Sequence, residues 1–386
     1  MALSRSVSAL ALLLLACSAR SGGDEAPADA GSGGSGGSGG GGGAAGATSF
    51  ALPPSVDLGA APHAVAAADL DGDGLVDLVA LVDGALIVAW GAESNPFSER
   101  VQQPLSGTAE SGVRAGLAPR DVTGDDVLDV VTSAGVWKNL GGRSFDWSSF
   151  GDEAIEAFRP VAVVNRGNGP EVVRGSAYGT VELCAVGCSA LPGQPAPCST
   201  PDQCPITDLT TGDFDGDAYD DVLAGRGTSA SSMWSSVDDY AQALVANGVV
   251  ASDCQAGDVD RDGVTDVVAG ASDRSVWLAS PGGVDPFFTT QSFPALHPGA
   301  LSALADADAD GCLDLIQVAP AFDDVGVRLG SSSGQGCAEQ LSDAWTTVPG
   351  VTGAVRLAQL DANGDAKPEW LLLTSTGVTF VTIPAL

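Results

Sequence analysis

A nine-residue acidic pattern returns six times along the chain and limits its possible folds more than any other feature. The pattern is D-x-(D/N/T)-x-D-x-x-x-(D/E), followed by apolar residues. Its copies begin at Asp69, Asp121, Asp213, Asp258, Asp306 and Asp361. The second interval is about twice the others, and residues 164–173 fit its middle, with Asn165, Asn168 and Glu171 as eroded remnants. The sequence therefore predicts seven units with a mean period of about 49 residues. We number the units 1 to 7 and name each acid loop after its unit, so that loop 3 is the missing one.

Each unit contains stretches with the two-residue alternation of β-strands. In unit 1, residues 63–68 lead into the acid loop, residues 78–82 leave it, and residues 86–90 follow a glycine. A fourth stretch begins near a phenylalanine in several units, as at Phe97 and Phe145. No helical stripe accompanies these stretches. A period near 50 residues with short strands and glycine-rich turns is typical of a β-propeller. We therefore predict an all-β, seven-bladed β-propeller with four-stranded blades.

The two ends of the repeat array complement each other. Unit 7 stops after residues 378–383 and lacks a fourth strand. Residues 48–52 precede the first copy and read as a phenylalanine-led strand that has no blade of its own. We predict that this N-terminal strand completes the last blade and closes the ring, which removes exposed sheet edges.

These features resemble the FG-GAP/VCBS repeat family, the calcium-loop propellers found in the head of integrin α subunits and in many bacterial surface proteins. The segment VWKNLGGRSF, residues 136–145, is also close to that family's strand-turn-phenylalanine segment. The resemblance covers residues 48–386 and implies calcium-stabilised recognition of proteins or glycans. Two departures stand out: unit 3 has lost its loop, and Thr123 and Asn363 replace carboxylates in two others.

Carboxylates at positions 1, 3, 5 and 9 of a tight loop need a counter-ion. Hard oxygen ligands, with a main-chain carbonyl at position 7, suit Ca²⁺, whereas Mg²⁺ demands stricter octahedral geometry. We predict about six calcium sites. Their ligands are Asp69, Asp71, Asp73, Leu75 and Asp77; Asp121, Thr123, Asp125, Val127 and Asp129; Asp213, Asp215, Asp217, Tyr219 and Asp221; Asp258, Asp260, Asp262, Val264 and Asp266; Asp306, Asp308, Asp310, Cys312 and Asp314; and Asp361, Asn363, Asp365, Lys367 and Glu369.

Two other structures are compatible with closely spaced acids. EF-hands begin similarly, but they place an acid at position 12 and continue as a helix. Position 12 is never acidic here, and the residues after position 9 are mostly β-formers or aliphatics. The second interpretation is that the acids form solvated turns without a metal ion, but six matched copies disfavour it. Because six sites filled to ten times their dissociation constants would add roughly 8 kcal/mol of stability, we predict structural rather than catalytic calcium.

The N-terminal segment predicts export. Residues 1–16 combine Arg5 with a short apolar run and read as a signal peptide. The run ends in Leu-Leu-Ala-Cys and resembles a bacterial lipobox, so we predict lipidation of Cys17, with ordinary cleavage near Ala16 or Ala19 as the alternative. Residues 17–47 are rich in glycine and serine and are expected to form a flexible tether. We expect an outer-membrane or cell-surface lipoprotein, or alternatively a secreted protein.

The charge of the chain limits its partners. The formal net charge is −33, which disfavours nucleic acid and anionic membrane surfaces. Hydrophobic residues make up 44% of the chain, so a sizeable core is available despite that charge. We expect a monomer that binds a protein or a glycan and contacts the membrane through its lipid anchor only.

Seven cysteines follow the tether, and an exported protein favours disulfides. Residues 184–204 carry Cys184, Cys188, Cys198 and Cys204 between units 3 and 4, where we expect an irregular insertion with one of three disulfide pairings. Zinc binding is disfavoured because no histidine is near. Cys312 and Cys337 lie in one unit and are expected to pair, which leaves Cys254 as a buried thiol.

No motif argues strongly for catalysis. A G-x-S-x-G run occurs at residues 330–334, but it recurs in the tether, and the chain has only His63 and His297 as possible bases. Trp90, Trp137, Trp234 and Trp277 recur at similar offsets and are expected in the core between blades rather than on a sugar-stacking platform. We therefore predict a binding or adhesion module that is not an enzyme. The alternatives are a polysaccharide lyase or hydrolase, and an envelope assembly scaffold.

Overall fold

The computed structural model describes residues 53–381 with internal gaps. The gaps are residues 54, 108–114, 152–157, 166–168, 186, 193–196, 198, 200–204, 215, 227–231, 235–241, 245–252, 271–273, 280–287, 298–299, 309, 320–323, 331–336, 338–340, 349–355, 361–368 and 375. The described residues form 28 strands in seven antiparallel, four-stranded sheets and contain no helix. No segment among them is therefore a helix able to cross a membrane.

The strands follow the predicted units, with one sheet for each unit. Sheet 1 contains β2 (Pro62–Ala68), β3 (Asp77–Val82), β4 (Ala85–Ala89) and β5 (Arg100–Pro104); sheet 2 contains β6 (Leu117–Arg120), β7 (Asp129–Thr132), β8 (Gly135–Asn139) and β9 (Phe145–Ser149). Sheet 3 contains β10 (Val161–Asn165), β11 (Pro170–Gly175), β12 (Val181–Cys184) and β13 (Cys188–Ala190); sheet 4 contains β14 (Ile206–Gly212), β15 (Asp221–Arg226), β16 (Ser232–Trp234) and β17 (Gln242–Leu244). Sheet 5 contains β18 (Asp253–Gly257), β19 (Asp266–Gly270), β20 (Arg274–Ala279) and β21 (Phe288–Pro294); sheet 6 contains β22 (Leu301–Ala305), β23 (Asp314–Ala319), β24 (Asp324–Arg328) and β25 (Thr346–Thr347). Sheet 7 contains β26 (Arg356–Leu360), β27 (Glu369–Leu373), β28 (Gly377–Val381) and β1 (Ser55–Asp57).

Each acid loop joins the first strand of its sheet to the second. The residue just before position 1 pairs with the residue at position 9, as Ala68 does with Asp77 and Gly257 with Asp266. Position 9 is thus the first residue of a strand. The strand that follows explains why residues 10 and 11 are mostly β-formers, and it excludes the EF-hand interpretation for the described loops.

Unit 3 has a short hairpin in place of an acid loop. Asn165 pairs with Pro170, and residues 166–169 alone connect β10 to β11, half the length of the connection in sheet 1. The expectation that Asn165 and Glu171 are remnants of a loop is wrong. Asn165 lies in β10 and pairs with Pro170, which takes the place of position 9, and Glu171 comes one residue later in β11. Asn168 lies outside the described residues. The connection is four residues shorter than that of sheet 1, so unit 3 has no room for an acid loop.

The N-terminal strand β1 is the outer strand of sheet 7. It runs antiparallel to β28, with Val56 opposite Val378. The N-terminal residues therefore supply the strand that unit 7 lacks, as the sequence predicts. The strand lies at Ser55–Asp57, and the predicted residues 48–52 fall outside the described part of the chain, as do the signal peptide, Cys17 and the tether.

Hydrophobic clusters lie between neighbouring sheets. Trp90 and Trp137 are 3% and 4% exposed within one cluster drawn from sheets 1 and 2, so the prediction that they belong to the core is confirmed. The side chains of Trp234 and Trp277 are outside the description. Neighbouring units are also in close contact at the end of a first strand: a Cβ on Gly257 would lie 2.7 Å from Cδ1 of Leu313 in loop 6, so that leucine would have to move.

Two disulfides are described. Cys312 pairs with Cys337 and Cys254 is a buried thiol, as predicted. Cys184 pairs with Cys188, and this bond joins β12 to β13 inside sheet 3. The expectation that the whole segment 184–204 is an insertion outside the repeat is therefore wrong for its first seven residues. Of the three pairings, the one that keeps this bond leaves Cys198 with Cys204, which both lie outside the described residues.

Candidate metal centres

Main-chain hydrogen bonds within the acid loops position their carboxylates. In loop 1, Asp69 accepts hydrogen bonds from the N–H groups of Gly72 at 2.8 Å and Gly74 at 2.9 Å, and Asp73 accepts one from Leu75 at 2.8 Å. Loops 2, 4, 5 and 6 repeat the bonds from position 6 to position 1 and from position 7 to position 5. Each loop is therefore folded around its first and third acids.

Position 9 has a second role that the sequence did not reveal. Asp77, Asp129, Asp221, Asp266 and Asp314 are all fully buried. In each of these loops the carboxylate accepts a hydrogen bond from the N–H group at position 2. In sheets 1, 2 and 6 the other oxygen of the carboxylate accepts a second hydrogen bond at 2.7 to 2.8 Å. The donor is the main-chain N–H group of a residue at or just after the end of the third strand, namely Gly91, Asn139 or Gly330. The acid thus fastens the loop to its sheet.

Three loops bring carboxylates together closely enough to share one cation. The groups are Asp69, Asp71 and Asp77 in loop 1; Asp258, Asp260 and Asp262 in loop 5; and Asp306, Asp308 and Asp314 in loop 6. Within each group, one oxygen from every residue lies within 4.8 Å of the others. All of these donors are hard oxygens, the type that Ca²⁺ prefers.

The electrostatics of these groups favour a bound cation. Burial raises the pKa of Asp77 from 3.8 to about 7; two main-chain hydrogen bonds oppose this change, and the neighbouring carboxylates add to it. In loop 6, burial raises the pKa of Asp314 to about 7 with the same secondary effects. Burial also raises the pKa of Asp258 in loop 5, again with help from adjacent acids. A divalent ion would offset this repulsion, so the residues fit calcium.

The remaining predicted ligands are placed differently. In loop 2, Asp121, Asp125 and Asp129 do not form such a group, and Thr123 stands where a carboxylate is usual. In loop 4, Asp215 lies outside the described residues. In loop 7 the same holds for Asp361, Asn363, Asp365 and Lys367, and only the main chain of Glu369 is described, at the start of β27.

Position 7 was predicted to offer main-chain carbonyls. Its residues are the donors of the hydrogen bond to position 5 described above: Leu75, Val127, Tyr219, Val264 and Cys312. In loop 6 this position is also cross-linked, because Cys312 carries the disulfide to Cys337. The disulfide thereby restrains the loop at the position of a predicted ligand.

Sequence reasoning missed Arg143, which reaches loop 1 from sheet 2. Its Nε lies 2.6 Å from Oδ2 of Asp71, and its Nη1 lies 2.9 Å from Oε2 of Glu99. The hydrogen bond to Asp71 raises the pKa of the guanidinium further. Arg143 stands in the segment VWKNLGGRSF, but only the fold brings residues 72 positions apart into contact.

The sheets and loops together define the class of the protein as a β-propeller whose acidic loops have a geometry that could hold a cation. The family model of the FG-GAP-like repeat matches residues 69–132, which span loop 1 to the second strand of sheet 2. The chain therefore carries an FG-GAP-like repeat, as the sequence predicts. A comparison with curated proteins gives no match.

Solved structures agree with this fold. One is the crystal structure of BBS1N in complex with ARL6DN, which is 13% identical with a TM-score of 0.54 over 87% of this chain and 96% of that chain. Another is a lectin from Agrocybe aegerita that recognises non-reducing terminal N-acetylglucosamine, which is 14% identical with a TM-score of 0.50 over 83% of this chain and 94% of that chain. At these identities the likeness concerns the fold alone.

Proposed function

We propose that the seven sheets are the blades of one closed propeller. In support, the first strands contact one another in chain order, and β26 of sheet 7 also contacts β2 of sheet 1. A buried cluster that includes Val56, Leu78 and Leu371 joins these two sheets. Phe97 of unit 1 stacks on Phe380 of β28, with ring centroids 5.6 Å apart. Closure of this kind fastens the first strand to the last blade.

We propose further that the acid loops bind structural Ca²⁺, at up to six sites. The carboxylate groups of loops 1, 5 and 6 would hold the ions, with the position 7 carbonyls as additional ligands. Bound calcium would supply the positive charge that the buried aspartates lack. Since position 9 also connects each loop to its sheet, occupancy of the loops would stabilise the blades themselves.

The function that this architecture supports best is a binding or adhesion module for a protein or glycan ligand, without catalysis of its own. The observation that carries the proposal is the β-propeller fold with an FG-GAP-like repeat, a fold shared with a structure solved in complex with a protein and with a glycan-recognising lectin. Fold alone does not determine function, so the proposal depends on direct binding measurements.

Display on the cell surface completes the proposal. The lipobox-like ending at Cys17 and the glycine-rich tether of residues 17–47 suit a domain held away from a membrane by a lipid. Metabolic labelling with an alkyne fatty acid should label the wild-type chain and not Cys17→Ser. Equal labelling of both chains would contradict the lipid anchor.

The binding function is tested with the purified chain lacking residues 1–17, immobilised and screened on a glycan array and on extracellular-matrix proteins. We expect saturable binding in calcium that is lost in EDTA. The same screen with Asp258→Asn, which removes a carboxylate from the loop 5 group, serves as a second test of calcium dependence. Polysaccharide turnover that persists in EDTA would contradict the proposal and favour the enzyme alternative.

A further inference from the structure

The turn between β8 and β9 of sheet 2 lies directly on loop 1 of sheet 1. The buried side-chain amide of Asn139 donates hydrogen bonds to the carbonyls of Leu70 at 2.6 Å and Leu128 at 3.1 Å. Gly141, Gly142 and Arg143 then follow with φ values of 78°, 59° and 65°. The left-handed conformation is ordinary for the two glycines but unusual for Arg143, which has a side chain. It holds the arginine where the turn meets the neighbouring loop.

Arg143 forms an ion-pair cluster with the carboxylates of sheet 1. Besides its 2.6 Å bond to Asp71 and its 2.9 Å bond to Glu99, its Nη2 lies 3.6 Å from Oδ2 of Asp73. Its guanidinium carbon lies 4.9 Å from the ring centroid of Trp90, close enough for a cation–π interaction. The side chain of Asp71 is only 8% exposed and that of Arg143 is 32% exposed, so the carboxylate is shielded from water while the guanidinium is partly solvated.

Both oxygens of Asp71 have hydrogen-bond partners in this arrangement. Oδ2 bonds to Arg143, and Oδ1 accepts the N–H group of Asp73 at 3.2 Å. Asp71 is also one of the three acids that converge in loop 1. A divalent ion that enters the group must share this carboxylate with a guanidinium, and the two positive charges repel each other.

We propose that Arg143 is an internal counter-ion that competes with calcium for Asp71. It offsets part of the negative charge of loop 1 when the ion is absent, and it lowers the affinity of loop 1 for the ion. Calcium binding then loosens the Arg143–Asp71 pair and changes the surface between sheets 1 and 2. The inference rests on the proposed calcium binding and adds a regulatory contact to it.

Terbium titration of the full folded chain tests the inference, because Tb³⁺ occupies calcium sites and its emission is sensitised by nearby tryptophans such as Trp90. The contribution of loop 1 is the part of the emission that disappears in Asp71→Ala, since asparagine, as at Asn363, could still offer an oxygen ligand. We expect Arg143→Gln to lower the half-saturation concentration of this part about tenfold, the equivalent of one hydrogen bond to a charged group. Lys138→Gln, which removes a charge from the same hairpin, should leave it unchanged.

A second measurement follows metal binding by the wild-type chain and uses a variant only to assign a resonance. In the ¹⁵N spectrum of the arginine side chains, the Nε–H resonance of Arg143, assigned by its absence in Arg143→Gln, should shift as calcium is added to the wild-type chain. An unshifted resonance, or a half-saturation that Arg143→Gln leaves within twofold or raises, would overturn the inference while loop 1 still binds the ion. If Asp71→Ala removes no emission at all, loop 1 is not a metal site, and both the calcium proposal for this loop and the inference fail.

Discussion

Replacement of Asp77 at position 9 of loop 1 should destabilise the fold even when no metal is present. Asp77 is fully buried, and it accepts hydrogen bonds from the main-chain N–H groups of Leu70 at 2.8 Å and Gly91 at 2.7 Å. Asp77→Ala leaves both buried groups without an acceptor, at about 1–3 kcal/mol each. We therefore expect a loss of about 2–6 kcal/mol, a large share of the 5–15 kcal/mol that is typical of folded domains.

Equilibrium urea unfolding in excess EDTA is the appropriate assay, since metal loss then contributes nothing to the difference. Asp77→Asn keeps one acceptor oxygen but turns its amide NH2 toward the other main-chain N–H donor, so its loss should be at least half of that for alanine. Asp73→Asn is the matched control from the same loop: its side chain is 37% exposed and should change the free energy of unfolding by about 0.5 kcal/mol or less. If Asp77→Ala and Asp73→Asn are equally stable, the structural role assigned to position 9 is refuted.

Three further predictions concern pH, the disulfide of loop 6 and the last sheet. In EDTA the free energy of unfolding should fall as pH rises from about 4 to about 7, because the folded state retains protons on Asp77 and Asp314 that the unfolded state has lost. Urea unfolding in EDTA should therefore give a higher stability at pH 5 than at pH 8. Calcium should reverse this order, because it binds the ionised acids. Cys312→Ser, which breaks the bond to Cys337, should weaken ion binding at loop 6 in calorimetry; an affinity equal to that of the wild type would show that the disulfide does not restrain the loop. Gly377→Ala should lower stability by about 1–3 kcal/mol, because its Cβ would lie 2.0 Å from a main-chain oxygen of β1; an unchanged melting temperature would contradict the pairing of β1 with β28.

Much of the fold follows from the repeat itself. The period and the two-residue alternation predict four strands per unit. The acid loop fixes where the second strand begins, because its ninth residue is the first residue of that strand, as at Asp77 and Asp266. The missing strand of unit 7 likewise indicates that N-terminal residues must complete that sheet. These features depend on local spacing, which a sequence records directly.

Other features depend on contacts between sheets or on deletions, and spacing does not record them. Arg143 meets Asp71 because neighbouring sheets are packed side by side, and no local pattern links the two residues. The bond from Cys184 to Cys188 lies inside a hairpin of sheet 3, although the position of this segment between units 3 and 4 predicts an insertion. The repeat spacing predicts the remnants of a loop in unit 3, whereas its short hairpin has no room for one.

The most direct test of the central claim is calorimetric melting of the full chain in calcium and in excess EDTA. At ten times the dissociation constant, each occupied loop adds about 1.4 kcal/mol of stability. The three loops in which acids converge would together add about 4 kcal/mol, so we predict that chelation lowers the melting temperature by at least about 5 °C. The same melting temperature in both solutions would contradict calcium-stabilised blades.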